Sequence, residues 1–114
     1  MVICLFYNAH KSDKDSCCNV IDTILNELSK YDYKMKVLLG DLNINCLSTT
    51  ESRCLIDVLD TYGLTNIVTQ PTCMKSDNGT LIDVIFTSNS ARISKCFNLI
   101  NGVSDFHNMV GFST

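Results

Sequence analysis

Apolar positions along this chain recur in two rhythms, and their alternation predicts an α/β fold. Val2 to Tyr7 is apolar without alternation, which predicts a strand buried on both faces. The polar stretch Asn8 to Ser16 predicts a loop. Val20, Ile21, Ile24, Leu25 and Leu28 then repeat at helical spacing, with Asp15 or Ser16 as N-cap and an end near Lys30. Met35 to Leu39 predicts a second buried strand, so strand, crossover helix and strand make a right-handed βαβ unit. After a loop over Asn45 to Thr50, the stripe Cys54, Leu55, Val58 and Leu59 predicts a second helix capped by Gly63. Short β-like pieces follow at Leu64 to Thr69, Leu81 to Thr87, Ile93 to Leu99 and Met109 to Phe112. A mixed sheet with two main helices is the expected architecture.

Length and composition narrow the class. At 114 residues and 46% hydrophobic content the chain suits one domain, without repeats or low-complexity tracts. A net charge of -3 gives no global basic field, so contact with a polyanion must be local or carried by a divalent metal. The seven cysteines form no Cys-x-x-Cys and no Cys/His cluster at zinc spacing, and several sit in apolar stretches. Reduced thiols in an intracellular compartment, nuclear or cytoplasmic, are the expectation. The apolar opening stops after six residues and lacks a basic flank, so neither a signal peptide nor a membrane partner is expected.

Candidate chemistry begins at Gly40-Asp41-Leu42-Asn43, at the end of an apolar run. Two positions apart on an extended segment, Asp41 and Asn43 point to one side, with Gly40 where the backbone must turn. Asp41 can accept a proton from water, while the neutral Asn43 amide donates to a phosphate oxygen without adding negative charge. Gly-Asp after a strand is also an ordinary turn. Asp83 interrupts the apolar run Leu81-Ile82-Asp83-Val84-Ile85-Phe86, where a carboxylate must either face water at a sheet edge or meet a cation or donors. His107, in Ser104-Asp105-Phe106-His107-Asn108, is the imidazole that such a carboxylate would orient.

Together, Gly40 to Asn43, Asp83 and Ser104 to Asn108 occur in one order at separated positions, and with them the chain resembles the C-terminal half of the endonuclease/exonuclease/phosphatase superfamily. Gln70-Pro71-Thr72, followed by the segment Gly79 to Ser88, is similar to endonuclease domains of non-LTR retrotransposons. The resemblance implies half of a two-sheet α/β sandwich, and hydrolysis of DNA phosphodiester bonds assisted by Mg2+ or Mn2+. By position, Asp41 would activate the attacking water and Asn43 would hold a phosphate oxygen. Asp83 would orient His107, whose imidazole binds phosphate, while Asp105 would add an acidic contact near the metal. Tyr7 matches a family tyrosine that donates its phenol to the phosphate.

The resemblance also carries departures. The family's N-terminal half supplies an Asn and a Glu to the principal metal site, and this chain shows no match to that half. The resemblance therefore implies a fragment with weak or absent metal affinity, and no efficient catalysis from the chain alone. Phe106 separates Asp105 from His107, which are adjacent in the commoner pattern, and Cys73 stands where relatives often carry Arg. Three readings follow: a DNA endonuclease fragment, a non-catalytic remnant that self-associates or docks through an exposed sheet face, and a phosphatase of the same superfamily. Gln70-Pro71-Thr72 and Thr87-Ser88 favour the nucleic-acid branch over the last.

Overall fold

In the computed structural model, which describes residues 1–9, 13–100 and 106–114, the long apolar runs become strands and the 3.6-residue stripes become helices. Strands β1 (Val2–Tyr7), β2 (Lys36–Asp41), β3 (Thr65–Asn66) and β4 (Asp83–Thr87) form a sheet in the order β1-β2-β4-β3. The β1–β2 pair is parallel, and both pairs made by β4 are antiparallel, so the sheet is mixed. Helix α1 (Lys14–Ser29) makes the crossover from β1 to β2, and α2 (Thr49–Tyr62) leads from β2 into β3. A single 3-10 turn at Ser90–Arg92 precedes an antiparallel pair of strands, β5 (Lys95–Leu99) and β6 (Met109–Ser113). The fold class is the expected α/β with a mixed sheet and two main helices.

Local sequence explains the helix ends. Asp13 caps α1, its carboxylate accepting from the Asp15 amide, so the helix begins before the Asp15 or Ser16 cap expected from the stripe. Ser48 caps α2 by accepting from the Glu51 amide, and Gly63 closes it at φ 68, the left-handed conformation that terminates helices. Cys17, Cys18, Ile21 and Leu25 of α1 and Leu55 and Leu59 of α2 are buried with Leu38, Val84 and Phe86 of the sheet. Val20, assigned to the apolar stripe by spacing, is exposed instead. It sits a residue off the Cys17–Ile21–Leu25 line that faces the sheet.

Strand register sorts the sheet into two faces. Cys4, Leu38 and Phe86 are register partners on one face, and Tyr7, Asp41 and Asp83 are partners on the other. Val37 and Leu38 are successive and both fully buried, so the middle of β2 is covered on both faces as its apolar run requires. For β1 that expectation fails. Its burial alternates, with Ile3, Leu5 and Tyr7 exposed, because β1 is an edge strand whose second face has no described segment packed over it. No helix among the described residues is long and apolar enough to cross a membrane.

Candidate active site

The ends of three strands set the site. Tyr7 ends β1, Asp41 ends β2 and Asp83 begins β4, and pairing aligns Tyr7 with Asp41 and Asp41 with Asp83. Three side chains from distant parts of the chain thus share one row on one face. Gly40 makes the row possible, though not as the turn expected from the sequence. It lies inside β2 at φ +151, so close to β1 that a Cβ built on it would stand 1.7 Å from the Phe6 carbonyl oxygen.

The turn comes later, at Asn43, which adopts φ 51. Asp41 prepares it, one carboxylate oxygen accepting from the Asn43 amide at 2.9 Å in an Asx turn. Asn43 therefore reaches the Asp41 side through a left-handed turn rather than by strand alternation. Asn8 ties the corner down. Its amide N–H donates to the Asp41 carbonyl, its side chain donates to the Leu42 carbonyl at 2.9 Å, and its carbonyl accepts from Asn43 Nδ2 at 2.6 Å. Nδ2 carries two hydrogens, so this bond fixes the amide while a second N–H remains for a ligand.

Asp83 is only partly exposed and lies on an inner strand of the sheet, so it does not face water at a sheet edge. Its Oδ2 lies 2.9 Å from His107 Nδ1 and its Oδ1 lies 3.2 Å from the same nitrogen. The expected carboxylate–imidazole pair is therefore present. Phe106 does not prevent it: the Phe106 ring is exposed, and its carbonyl accepts from the Met74 amide while Cys73 bridges His107. Asp105, expected near a metal, lies outside the described residues.

Thr72 completes the support of Asp83. Fully buried, it donates its hydroxyl to Asp83 Oδ2 at 2.7 Å and accepts from the Asp83 and Ile82 amides at 3.1 and 3.3 Å. One hydroxyl thus clamps both the strand start and its carboxylate. Thr72→Val keeps the shape and removes the hydroxyl, so His107 would lose its fixed partner geometry. The expected result is a change in the His107 imidazole chemical shifts at unchanged secondary structure, measured by NMR and circular dichroism.

Asp41, Asp83 and His107 each bring one ligand-type atom into a group spanning no more than 4.8 Å. Carboxylates directly opposite each other on paired strands repel, so a cation between or beside them is favoured. The cleft over this group has a volume of about 540 Å3 and is also lined by Tyr7 and Asn43. Tyr7 is largely exposed on its rim. Tyr7, Asp41, Asn43 and His107 thus line one cleft, and Asp83 joins them through its pair with His107.

Sequence reasoning missed Asn8, the clamping role of Thr72, and Lys75 on the cleft wall. Cys73, the residue in place of a common Arg, is buried and also lines the cleft, two positions from the Lys75 ammonium. Polarity just after the β1 apolar run marked Asn8, and the Pro-Thr pair marked Thr72. Neither signal revealed which distant partner the side chain meets.

Comparison with known proteins decides the family. Residues 1–110 match the family model described as "Endonuclease-reverse transcriptase". The chain belongs to that family. Among solved structures, an endonuclease/exonuclease/phosphatase family protein from Leptotrichia buccalis C-1013-b shares the fold, with a TM-score of 0.57 at 19% identity. The match covers 80% of this chain and 41% of that one, so this family member spans less than half the length of its structural neighbour. No curated protein sequence matches it significantly. The family and the fold together bear out the superfamily resemblance read from Asp41, Asp83 and His107.

Proposed function

We propose that the cleft of this endonuclease-reverse transcriptase family member hydrolyses DNA phosphodiester bonds with the help of Mg2+ or Mn2+. The observation that carries the proposal is the Asp83–His107 pair facing the Asp41–Asn43 corner across one cleft. Its donor set fits a hard divalent cation in part. Mg2+ characteristically takes one or two protein carboxylates and fills its remaining positions with waters and substrate phosphate oxygens. Of the two carboxylates in the group, Asp41 is the one that lines the cleft, so Asp41 is the residue that would hold the ion. When bound, the cation would polarise the phosphate and stabilise the leaving oxyanion.

The remaining steps belong to side chains. Asn43 Nδ2 would donate to a non-bridging phosphate oxygen, and the Tyr7 phenol would donate from the rim. Asp41 would position the attacking water and take its proton. Asp83 fixes the imidazole through Nδ1, and the ring so held lines the cleft, where it would meet a phosphate oxygen as its charge grows. In this reading further metal donors come from a partnering N-terminal half, and the chain alone works slowly. Nicking of supercoiled plasmid by the purified chain tests it. Slow nicking in Mg2+ or Mn2+ that stops on chelation is expected, whereas faster release of phosphate from a phosphomonoester would favour the phosphatase reading.

A second reading rests on Ile3 and Leu5, exposed by 50% and 81% on the sheet face that carries Tyr7. An apolar row of this kind favours self-association or docking of that face. Absence of nicking with every metal, together with dimers or larger species by light scattering, would leave this non-catalytic role in place of hydrolysis.

A further inference from the structure

Outside the cleft, a second group of reactive side chains lies between the two helices. Cys18 of α1 and Cys54 of α2 bring their Sγ atoms to 2.6 Å, well inside the roughly 3.5–4 Å at which non-bonded heavy atoms pack. Bonding would bring the two sulfurs to about 2.05 Å, a further approach of roughly half an ångström. Cys18 is buried, while Cys54 is half-buried and opens onto a shallow surface pocket of mixed charge, lined by Lys14 and Arg53 and by Asp15, Glu51 and Asp57. Cys17, adjacent in sequence, is buried, and burial first, with the neighbouring Cys54 adding to it, pushes its thiol up to about 11. One thiol of the contacting pair is thus reachable by a small oxidant and its partner waits behind it.

We propose that Cys18 and Cys54 form a reversible intrachain disulfide that staples α1 to α2. Glutathione disulfide is the class of oxidant the pair would use. The Cys54 thiolate attacks one sulfur of that disulfide and releases a glutathione thiolate. Cys18 then gives up its proton and attacks the Cys54 sulfur of the mixed disulfide, releasing the second glutathione. Two protein thiols lose two electrons, glutathione disulfide gains them, and the two thiol protons end on the two glutathiones. Excess glutathione reverses both steps.

The two cysteines lie 36 positions apart, and the closed loop contains all of β2 with the Asp41–Asn43 corner. Closing it removes conformational freedom from the unfolded chain, so the oxidised form should melt roughly 10 °C higher than the reduced one. That effect is independent of whether the cleft hydrolyses DNA.

Incubation of the full chain with excess glutathione disulfide, followed by alkylation and non-reducing peptide mapping, tests the proposal. The expected product has lost the mass of two hydrogen atoms, joins the Cys18 and Cys54 peptides, and keeps no glutathione. Because Cys17 shares a peptide with Cys18, the same map on Cys17→Ser identifies the sulfur used, and the cross-link should persist there. A stable glutathione adduct on Cys54 with Cys18 still alkylated would overturn the proposal. So would loss of the cross-link in Cys17→Ser, or an unchanged number of alkylated cysteines.

Discussion

Asp41→Asn should lower the metal-dependent nicking rate by a factor of roughly 10³ while leaving the chain folded. The side-chain oxygen that remains can still accept from the Asn43 amide, so the Asx turn holding the corner survives. What disappears is the charge that would hold the cation and the base that would take the proton of water. His107→Ala should cost a similar factor by removing the imidazole that meets the phosphate. Asp83→Asn should cost less, roughly 10-fold to 100-fold, since it loosens the ring without deleting it. Combining Asp83→Asn with His107→Ala should then cost no more than His107→Ala alone, because Asp83 acts through that imidazole. Initial rates with supercoiled plasmid at matched metal concentration decide between these expectations. Equal activity in wild type and Asp41→Asn would remove Asp41 from the mechanism.

Gly40→Ala carries the largest expected effect on stability. A Cβ there would stand 1.7 Å from the Phe6 carbonyl oxygen and 2.8 Å from its carbon, both backbone atoms held in the β1–β2 ladder. No side-chain rotation relieves such a contact, so β1 must move away from β2, and φ +151 adds strain of its own. A loss of roughly 4 kcal/mol or more follows, lowering Tm by about 15 °C or more. Gly63→Ala is the control. Its Cβ would meet nothing within 4 Å, so only the left-handed φ of 68 is penalised, about 1 kcal/mol. Thermal unfolding followed by circular dichroism separates the two. Similar small shifts in both variants would mean that β1 does not hold the close approach to Gly40.

Gly40 also shows where sequence reading stops. Its position before Asp41 marked it as special, yet the cause is a neighbouring strand more than thirty residues earlier in the chain, Phe6 being its register partner. Asp83 was legible for the opposite reason: a carboxylate in an apolar run demands a partner wherever the chain finds one, and His107 was available. Thr72 and Asn8 carry no such demand, because a hydroxyl or amide near a loop is satisfied by water as easily as by Asp83 or Leu42. The helices were legible from their stripes, and their errors are of the expected kind. Val20 is apolar beside the stripe, and the Asp13 cap lies one turn before the first buried contact at Cys17. The alternating exposure of β1 was hidden because Ile3 and Leu5 read as core, whereas the edge position of the strand is set by the sheet order β1-β2-β4-β3.

In the proposed reaction the Asp41 corner would hold a divalent cation beside the Asp83–His107 pair. Paramagnetic broadening by substoichiometric Mn2+, read residue by residue in nitrogen-edited NMR spectra, tests it without requiring turnover. Asp41, Asn43 and His107 should broaden first, and Asp41→Asn should abolish the effect at the same Mn2+ concentration. Broadening centred elsewhere, or unchanged at Asn43 and His107 in the Asp41→Asn variant, would contradict it.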